Sequence, residues 1–169
     1  VMRDLRRSNA RTTAYSLLEE AGLEVFTPRE WRVSTKNGRR IRKYVCVMPD
    51  LLFVRASREE LDPHLERIPA LQYRYLRGGY RRPMVVPDAD MERFIRVIGH
   101  SEEPRYYLPE EITDAMRSRR IRIVGGPLDG YEGLLLSVRG SKVKRLMVEL
   151  PGFLTVAVEV SPEMIEIIK

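Results

Sequence analysis

The spacing of apolar residues near the start of the chain predicts an amphipathic helix. Four apolar residues fall at positions i, i+3, i+4 and i+7 and therefore share one helical face: Ala14, Leu17, Leu18 and Ala21. Ser8 and Asn9 are candidate N-cap residues, and Gly22 is a candidate stop.

The next apolar pattern predicts a β-hairpin. Residues 25–33 and 41–48 are rich in β-branched and aromatic residues, as strands are. Asn37-Gly38 lies between them and favours a type I′ turn, because both central positions of that turn need positive φ. Residues 51–55 then form a short apolar run that predicts a buried strand.

Two further helices and two strands complete the pattern of the first hundred residues. Ser57 and Glu60 form a capping box, so a second helix begins there, and Pro63 should shorten or kink it. Residues 71–76 and 81–86 resemble strands joined by a Gly78-Gly79 turn. Asp88 is expected to cap a third helix, which ends at Gly99 and has this apolar face: Met91, Phe94, Ile95 and Ile98.

The pattern changes after residue 100. Residues 101–117 are polar and predict a linker, in which 112–116 could form a helical turn and Tyr106-Tyr107-Leu108 could dock on a neighbouring surface. From residue 118 onward the sequence contains five short strands and no helix, which is typical of a small SH3-like barrel. The predicted class is therefore α+β, with a helix-and-sheet domain over 1–100, a linker over 101–117 and a barrel over 118–169.

Composition narrows the possible functions. The net charge is +6, and the basic excess lies in the first 100 residues, which makes that half a candidate for contact with nucleic acid or an acidic surface. Cys46 is the only cysteine, which excludes an internal disulfide and indicates a reducing compartment such as the cytoplasm. His64 and His100 are the only histidines and lie far apart, so we expect no metal centre or catalytic triad. The first residue is Val, so we expect that a few residues before it were removed.

The sharpest cluster of charge lies on the predicted hairpin. Six basic residues and no acid occur between residues 32 and 43: Arg32, Lys36, Arg39, Arg40, Arg42 and Lys43. On a hairpin that projects from the body, these charges could contact phosphates or an acidic patch of a partner protein, or could simply be solvated. We expect Arg39, Arg40, Arg42 and Lys43 to bind nucleic acid.

Residues 125–130 read GGPLDG and match the glycine spacing of a phosphate-binding loop. Such a loop also needs a Lys, a Ser or Thr, and a following helix, whereas here Tyr131-Glu132 and a β-rich run follow. The glycines are better explained by backbone bending: positive φ at Gly125 and Gly126, and close strand packing at Gly133. No paired carboxylate, Cys/His or metal constellation indicates an enzyme, and we expect no cofactor.

The same stretch resembles the KOW motif, in which apolar residues precede a G-P-φ-x-G-x-x-G pattern. The matching residues are Gly126, Pro127, Leu128, Gly130, Tyr131 and Gly133. The predicted helix before Gly22-Leu-Glu-Val-Phe-Thr-Pro and the strand Val47-Met-Pro-Asp-Leu-Leu-Phe-Val look like the N-terminal (NGN) domain of the NusG family. This resemblance covers nearly the whole chain. Within the family, the chain looks most like the specialised UpxY-type paralogues.

The resemblance implies a bacterial transcription factor that binds RNA polymerase. An apolar concave surface would bind the clamp helices of RNA polymerase, with these candidates: Met48, Leu51, Phe53, Tyr73, Tyr75 and Met84. Leu51 and Phe53 share one strand face, Leu52 and Val54 the other, and the pattern does not tell which is core. Met48, Asp50 and Leu51 replace the family's usual Phe, Gly and Tyr, which alters the shape of that surface.

The resemblance also places residues near the non-template DNA strand. His64 and Arg67 match the segment that contacts this strand in specialised members, although the threonine-rich pattern is absent and His64 could be an ordinary surface residue. Arg74 and Arg77 are further candidates for contact with the DNA backbone.

In the barrel, Leu128, Tyr131, Phe153 and Leu154 could be exposed to a small-subunit ribosomal protein or Rho, or could be core. Asp129 occupies a frequently basic position, which counts against nucleic-acid binding by the barrel. The expected function is RNA polymerase binding with operon-specific antitermination and processive elongation, by a cytoplasmic monomer. The alternative is a KOW-containing protein that binds RNA or the ribosome.

Overall fold

The computed structural model describes residues 1–6, 12–48, 50–76, 78–136, 140 and 142–169. The described residues form three α-helices and several antiparallel sheets, in agreement with the predicted α+β class. Contacts between residues divide the chain into two units, Val1–Val85 and Val86–Lys169. The third helix and residues 101–117 therefore group with the second unit, whereas the domain boundaries at 100 and 118 stay a prediction.

The first unit contains two helices and six strands in its described part. Their bounds are β1 Met2–Asp4, α1 Ala14–Glu20, β2 Glu24–Phe26, β3 Arg29–Lys36, β4 Arg39–Cys46, β5 Phe53–Arg55, α2 Arg58–Arg67 and β6 Leu71–Tyr73. Strand β1 pairs with β6, and β2 pairs with β5, both antiparallel. A bridge between Met2 and Leu52 connects the two pairs, since each backbone N–H donates to the other residue's carbonyl oxygen.

The core of this unit lies between that sheet and helices α1 and α2. Buried Ala14 and Leu18 from α1 and Leu61 from α2 cluster with sheet residues that include Met2 and Leu52. The expected N-cap residues Ser8 and Asn9 lie outside the described residues, and the N-cap of α1 is Thr13. The buried carboxylate of Asp4 also accepts a hydrogen bond from the backbone N–H of Ala14, 2.7 Å away, so strand β1 holds the start of α1.

Several predictions for local structure in this unit are confirmed. Ser57 and Glu60 form the predicted capping box of α2, and the helix continues past Pro63 to Arg67. Pro63 is the sixth residue of the helix, in its second turn, and does not end it, although a proline there lacks the N–H for an intrahelical hydrogen bond. Asn37 and Gly38 have φ angles of 50° and 74°, as the type I′ turn requires.

Two predictions for this unit are wrong. Residues 25–33 are not one strand, because β2 ends at Phe26 and β3 starts at Arg29. Residues 81–86 form no strand, only an isolated bridge between Tyr75 and Pro83. Pro83 has no N–H to donate and Arg81 has a φ of 48°, so this segment cannot continue a regular ladder.

The second unit contains one helix and six strands in its described part. Their bounds are α3 Asp88–Gly99, β7 Arg105–Tyr107, β8 Arg117–Ile123, β9 Glu132–Leu136, β10 Arg145–Leu150, β11 Leu154–Glu159 and β12 Ile165–Ile167. The strands form one antiparallel sheet in the order β12-β8-β9-β10-β11-β7. Helix α3 packs against β10 and β11 and buries Phe94 and Val97.

The structure corrects three details of this unit. The N-cap of α3 is Pro87, and Asp88 is the first helical residue. Ile95, expected on the apolar face, is exposed, whereas Val97 is buried. A 3₁₀ turn at Pro109–Glu111 was not expected; Pro109 begins it, and the Glu111 carboxylate accepts from the Leu108 N–H. Residues 114–116, within the range where a helical turn was expected, form a hydrogen-bonded turn in which the Met116 N–H donates to the Thr113 carbonyl oxygen.

The predicted linker contains a strand of this sheet. Tyr106 and Tyr107 belong to β7, which pairs with β11. This aromatic segment is therefore an edge strand of the sheet and not an unpaired part of a linker. Arg139 and Ser141, expected in the turn between β9 and β10, lie outside the described residues, and Gly140 between them has a φ of 80°.

Candidate functional site

The β3–β4 hairpin is the most exposed and most basic element of the first unit. Strands β3 and β4 pair along eight residues each, from Arg29 opposite Cys46 to Lys36 opposite Arg39. Every residue from 31 to 40 is exposed. The Asn37-Gly38 turn sets this register, so the sequence signal fixes where each basic side chain points.

The register separates the hairpin into two faces. Four cations share the face that we call the basic face: Arg32, Lys36, Arg39 and Lys43. Arg32 lies directly opposite Lys43, and Lys36 directly opposite Arg39. Glu30 lies on the same face and its carboxylate accepts from Arg32 Nε at 2.5 Å, so the charge of Arg32 is partly compensated. Lys36 and Arg39 are like charges placed opposite each other, which destabilises a strand pair, so an anion bound at this end of the face would relieve that cost.

The other face, which we call the aromatic face, was not predicted. Trp31 pairs with Tyr44 across the strands, and their ring centroids lie 5.0 Å apart. The guanidinium carbon of Arg42 lies 4.7 Å from the Trp31 ring centroid, and Arg40 belongs to the same face. Trp31 and Tyr44 stand six positions before Asn37 and six after Gly38, so the turn register could have revealed the pair.

The six apolar candidates for a protein contact differ in accessibility. Leu51, Phe53 and Tyr73 are buried, with Leu51 completely inaccessible. Met48 and Met84 are half-buried, and Tyr75 is 46% exposed. Tyr75 therefore offers the largest free surface of the set.

The question of which face of the β5 segment is core has a definite answer. Leu52 is part of the cluster beneath α1 and α2, and Val54 packs against that cluster. Leu51 and Phe53 are buried as well, and the Phe53 ring lies 6.2 Å from that of Phe26. Both faces of this segment are therefore buried, whereas strand alternation had suggested that one of them could be free.

The Tyr73 side chain connects strand β6 to helix α2. Its hydroxyl donates to a carboxylate oxygen of Asp62, 2.8 Å away. Burial, with this hydrogen bond and the nearby negative charge, raises the pKa of Tyr73 to about 12. The Tyr73 ring also lies 6.3 Å from that of Tyr75 and 5.9 Å from the guanidinium carbon of Arg58.

Three of the four candidates for the DNA strand lie in the described residues, two on α2 and one after β6. His64 is half-buried on α2, and Arg67 is exposed at the end of that helix. Arg74 is half-buried after β6, where its backbone pairs with Val1 and Met84. Arg77 lies outside the described residues.

The glycine-rich turn in the second unit is a bend and not a phosphate cradle. Gly125, Gly126 and Gly130 have φ angles of 84°, 70° and 77°. The Asp129 carboxylate accepts from the backbone N–H of Gly125 at 2.5 Å, so an acid occupies the amide that a phosphate would need. Among the described residues, no group of three or more His, Cys, Asp or Glu side chains could hold a metal ion.

Gly133 is required for close packing of β9 on β10. A Cβ at this position would overlap the carbonyl oxygen of Met147 and lie 2.8 Å from Cδ1 of Leu146. Neighbouring Glu132 accepts from Arg122 and Arg120, and the hydrogen bond from Arg122 is the main cause of the lowered pKa of its carboxyl group. The hydrogen bond with Glu132 in turn raises the pKa of Arg122.

Most residues of the second unit that were expected at a partner surface are core. Leu128, Phe153 and Leu154 are buried, which favours the core alternative for each of them. Tyr131 is half-buried, with the Arg93 guanidinium carbon 5.3 Å from its ring centroid. Pro127 is exposed beside Gly126 in the turn.

The fold and these surfaces define a mixed α/β protein whose most exposed element is a basic β-hairpin with a tryptophan–tyrosine pair. The family described as Transcription termination factor nusG matches residues 6–95, which is more than half of the chain. The chain therefore belongs to the NusG family, a family of transcription factors and not of enzymes. No curated protein matches the chain. None of the helices in the described part of the chain is long and apolar enough to span a membrane.

Proposed function

We propose that this chain binds elongating RNA polymerase and promotes processive, antiterminated transcription of a particular operon, as a UpxY-type member of its family. Family membership carries the proposal, because NusG proteins are known to bind RNA polymerase. The mechanism is binding alone: a protein that holds the polymerase clamp in its elongating position lowers the frequency of pausing without a chemical step.

The polymerase contact is proposed on the apolar residues around β5 and β6. Tyr75, Met48 and Met84 supply the accessible area, and an exposed apolar group of this kind is typical of an interface. Buried Leu51, Phe53 and Tyr73 support that surface from below in the conformation described here. The clamp helices of the polymerase are the proposed partner.

The nucleic-acid contact is proposed on the hairpin. In the described residues, Lys36, Arg39, Arg40 and Lys43 form no ion pair, so their charge is available to phosphates. His64, Arg67, Arg74 and Arg77 remain candidates for the non-template DNA strand near the polymerase.

Residues 118–169, in the second unit, are proposed to form an SH3-like KOW barrel that recruits or excludes a further factor. Three observations support this proposal: the antiparallel strands β8 to β12 with no α-helix described among them, the bent turn over 125–130, and the tight packing at Gly133. A small-subunit ribosomal protein or Rho is the proposed partner class. With Leu128 buried, Tyr131 and Pro127 are the remaining contact candidates in the motif.

The test is an in vitro elongation assay on a long operon leader with purified polymerase. We expect fewer pauses and more terminator read-through when the chain is added. Unchanged pausing and termination at saturating protein would contradict the proposal. Tight binding to ribosomal RNA without polymerase would instead support the alternative, a KOW-containing RNA- or ribosome-binding protein.

A further inference from the structure

The aromatic face of the hairpin exposes large apolar side chains to solvent, which a role in binding negative charge alone would not require. Trp31 is 54% exposed and Tyr44 is 52% exposed, although both are large rings that a protein usually covers. Val33, next along the same face, is also exposed. A partner for this face must therefore offer flat apolar area as well as negative charge.

Unpaired nucleotides meet both requirements. Bases stack on tryptophan and tyrosine rings, and arginine contributes through its planar guanidinium, while phosphates follow nearby cations. Here Arg42 already lies over Trp31, and Arg40 lies on the same face one residue pair further towards the turn. The basic face is the opposite face of the same hairpin; Arg32 on it pairs with Glu30, whereas Lys36, Arg39 and Lys43 form no ion pair among the described residues.

We propose that the aromatic face stacks unpaired bases of a single-stranded nucleic acid while Arg40, Arg42 and the basic face hold its phosphates. This inference rests on the nucleic-acid role proposed above and adds the base-stacking residues Trp31 and Tyr44. A duplex is a poorer ligand, because its base faces already stack on each other and only its phosphates can contact the hairpin.

Trp31 provides a direct readout, because it is the only tryptophan in the chain. The full chain is titrated with oligothymidine and oligouridine of about eight nucleotides, a typical site size, and with a duplex of similar length. Saturable quenching of Trp31 fluorescence by a single strand, with little quenching by the duplex, is the expected result. The tighter of the two single strands identifies DNA or RNA as the source.

Tyr44→Ile removes one stacking ring and keeps the Trp31 reporter and a good strand former. The dissociation constant for the single strand should rise about five- to a hundred-fold, the range reported for loss of one stacking ring. Tyr80→Ile is the matched control, because Tyr80 is also exposed and lies beside an arginine, Arg81, outside the hairpin. Its affinity should remain that of the wild type, and circular dichroism should show that both variants fold.

Three results would overturn the inference: no binding of either single strand, binding without quenching of Trp31, or equal losses in Tyr44→Ile and Tyr80→Ile. Polymerase association is measured in parallel on the same protein. If polymerase binds but the oligonucleotides do not, the stacking inference fails while the proposed function stands.

Discussion

At the scale of single residues, the exposure of a side chain distinguishes candidates for partner binding from residues that stabilise the fold. Leu51 and Tyr75 belong to the same expected interface, yet one is inaccessible and the other is almost half exposed. Their substitutions should therefore have opposite effects on stability and on association.

Tyr75→Ala should leave the unfolding free energy within about 0.5 kcal/mol of wild type and weaken polymerase binding about tenfold, as truncation of a central interface ring does. Leu51→Ala should destabilise the chain by about 2–5 kcal/mol, because it opens a cavity. Chemical denaturation and a polymerase binding titration measure the two effects. If Tyr75→Ala binds polymerase as wild type does, Tyr75 is not part of the interface.

Tyr73 gives a prediction for alkaline pH. Its pKa is raised to about 12 in the folded chain, against about 10 in the unfolded chain. The unfolded state therefore loses its proton first, and the stabilisation from neutral Tyr73 is complete below about pH 10 and is lost as the pH rises to about 12.

Thermal melts between these pH values should show a steeper loss of stability in wild type than in Tyr73→Phe. The comparison with Tyr73→Phe is needed because burial also raises the pKa of Tyr15. Parallel pH profiles for the two proteins would show that the Tyr73 hydroxyl does not contribute.

At the scale of elements, the turn and the charge of the β3–β4 hairpin were predicted from the sequence, whereas its aromatic face was not. The Asn37-Gly38 turn and the charge run were readable from the sequence, because turn chemistry and charge are local properties. The Trp31–Tyr44 pair was readable in principle from the same turn. It was missed because the two residues are thirteen positions apart and meet only through the register.

Neutralising Arg39, Arg40, Arg42 and Lys43 to Gln should weaken nucleic-acid binding and flatten its dependence on salt, because fewer counterions are released. A matched control neutralises four exposed basic residues of the second unit: Arg119, Lys142, Lys144 and Lys169. Affinity measured by fluorescence anisotropy over a range of salt concentrations should change only in the hairpin variant. Equal salt slopes in the wild type and the hairpin variant would show that the hairpin does not contact phosphates.

Other elements show where sequence reasoning stops. The capping box at Ser57 and Glu60 was predicted because it depends on residues three positions apart. The strand expected over 81–86 failed because apolar content alone does not reveal whether Pro83 and the positive φ of Arg81 allow a ladder. Strand β7 was hidden in a polar segment, since its pairing with β11 depends on a partner fifty residues away.

At the scale of the whole molecule, the end of the family match does not coincide with the boundary between the two units. The match ends at residue 95, within α3, whereas α3 groups with the second unit. The sequence predicted the α+β class and most strands of both units, because hydrophobic alternation and turn residues encode them. The predicted domain over 1–100 included α3, but the sequence could not show which strands this helix packs on, since Phe94 and Val97 suit any apolar surface.

The account depends most on polymerase binding, which can be measured directly. The full chain is tagged, incubated with purified RNA polymerase, treated with nuclease and recovered on the tag. The account predicts that polymerase remains bound after nuclease treatment and that Tyr75→Ala reduces its recovery. Complete loss of polymerase, or recovery only through intact nucleic acid, would contradict the claim that this chain is a polymerase-binding transcription factor.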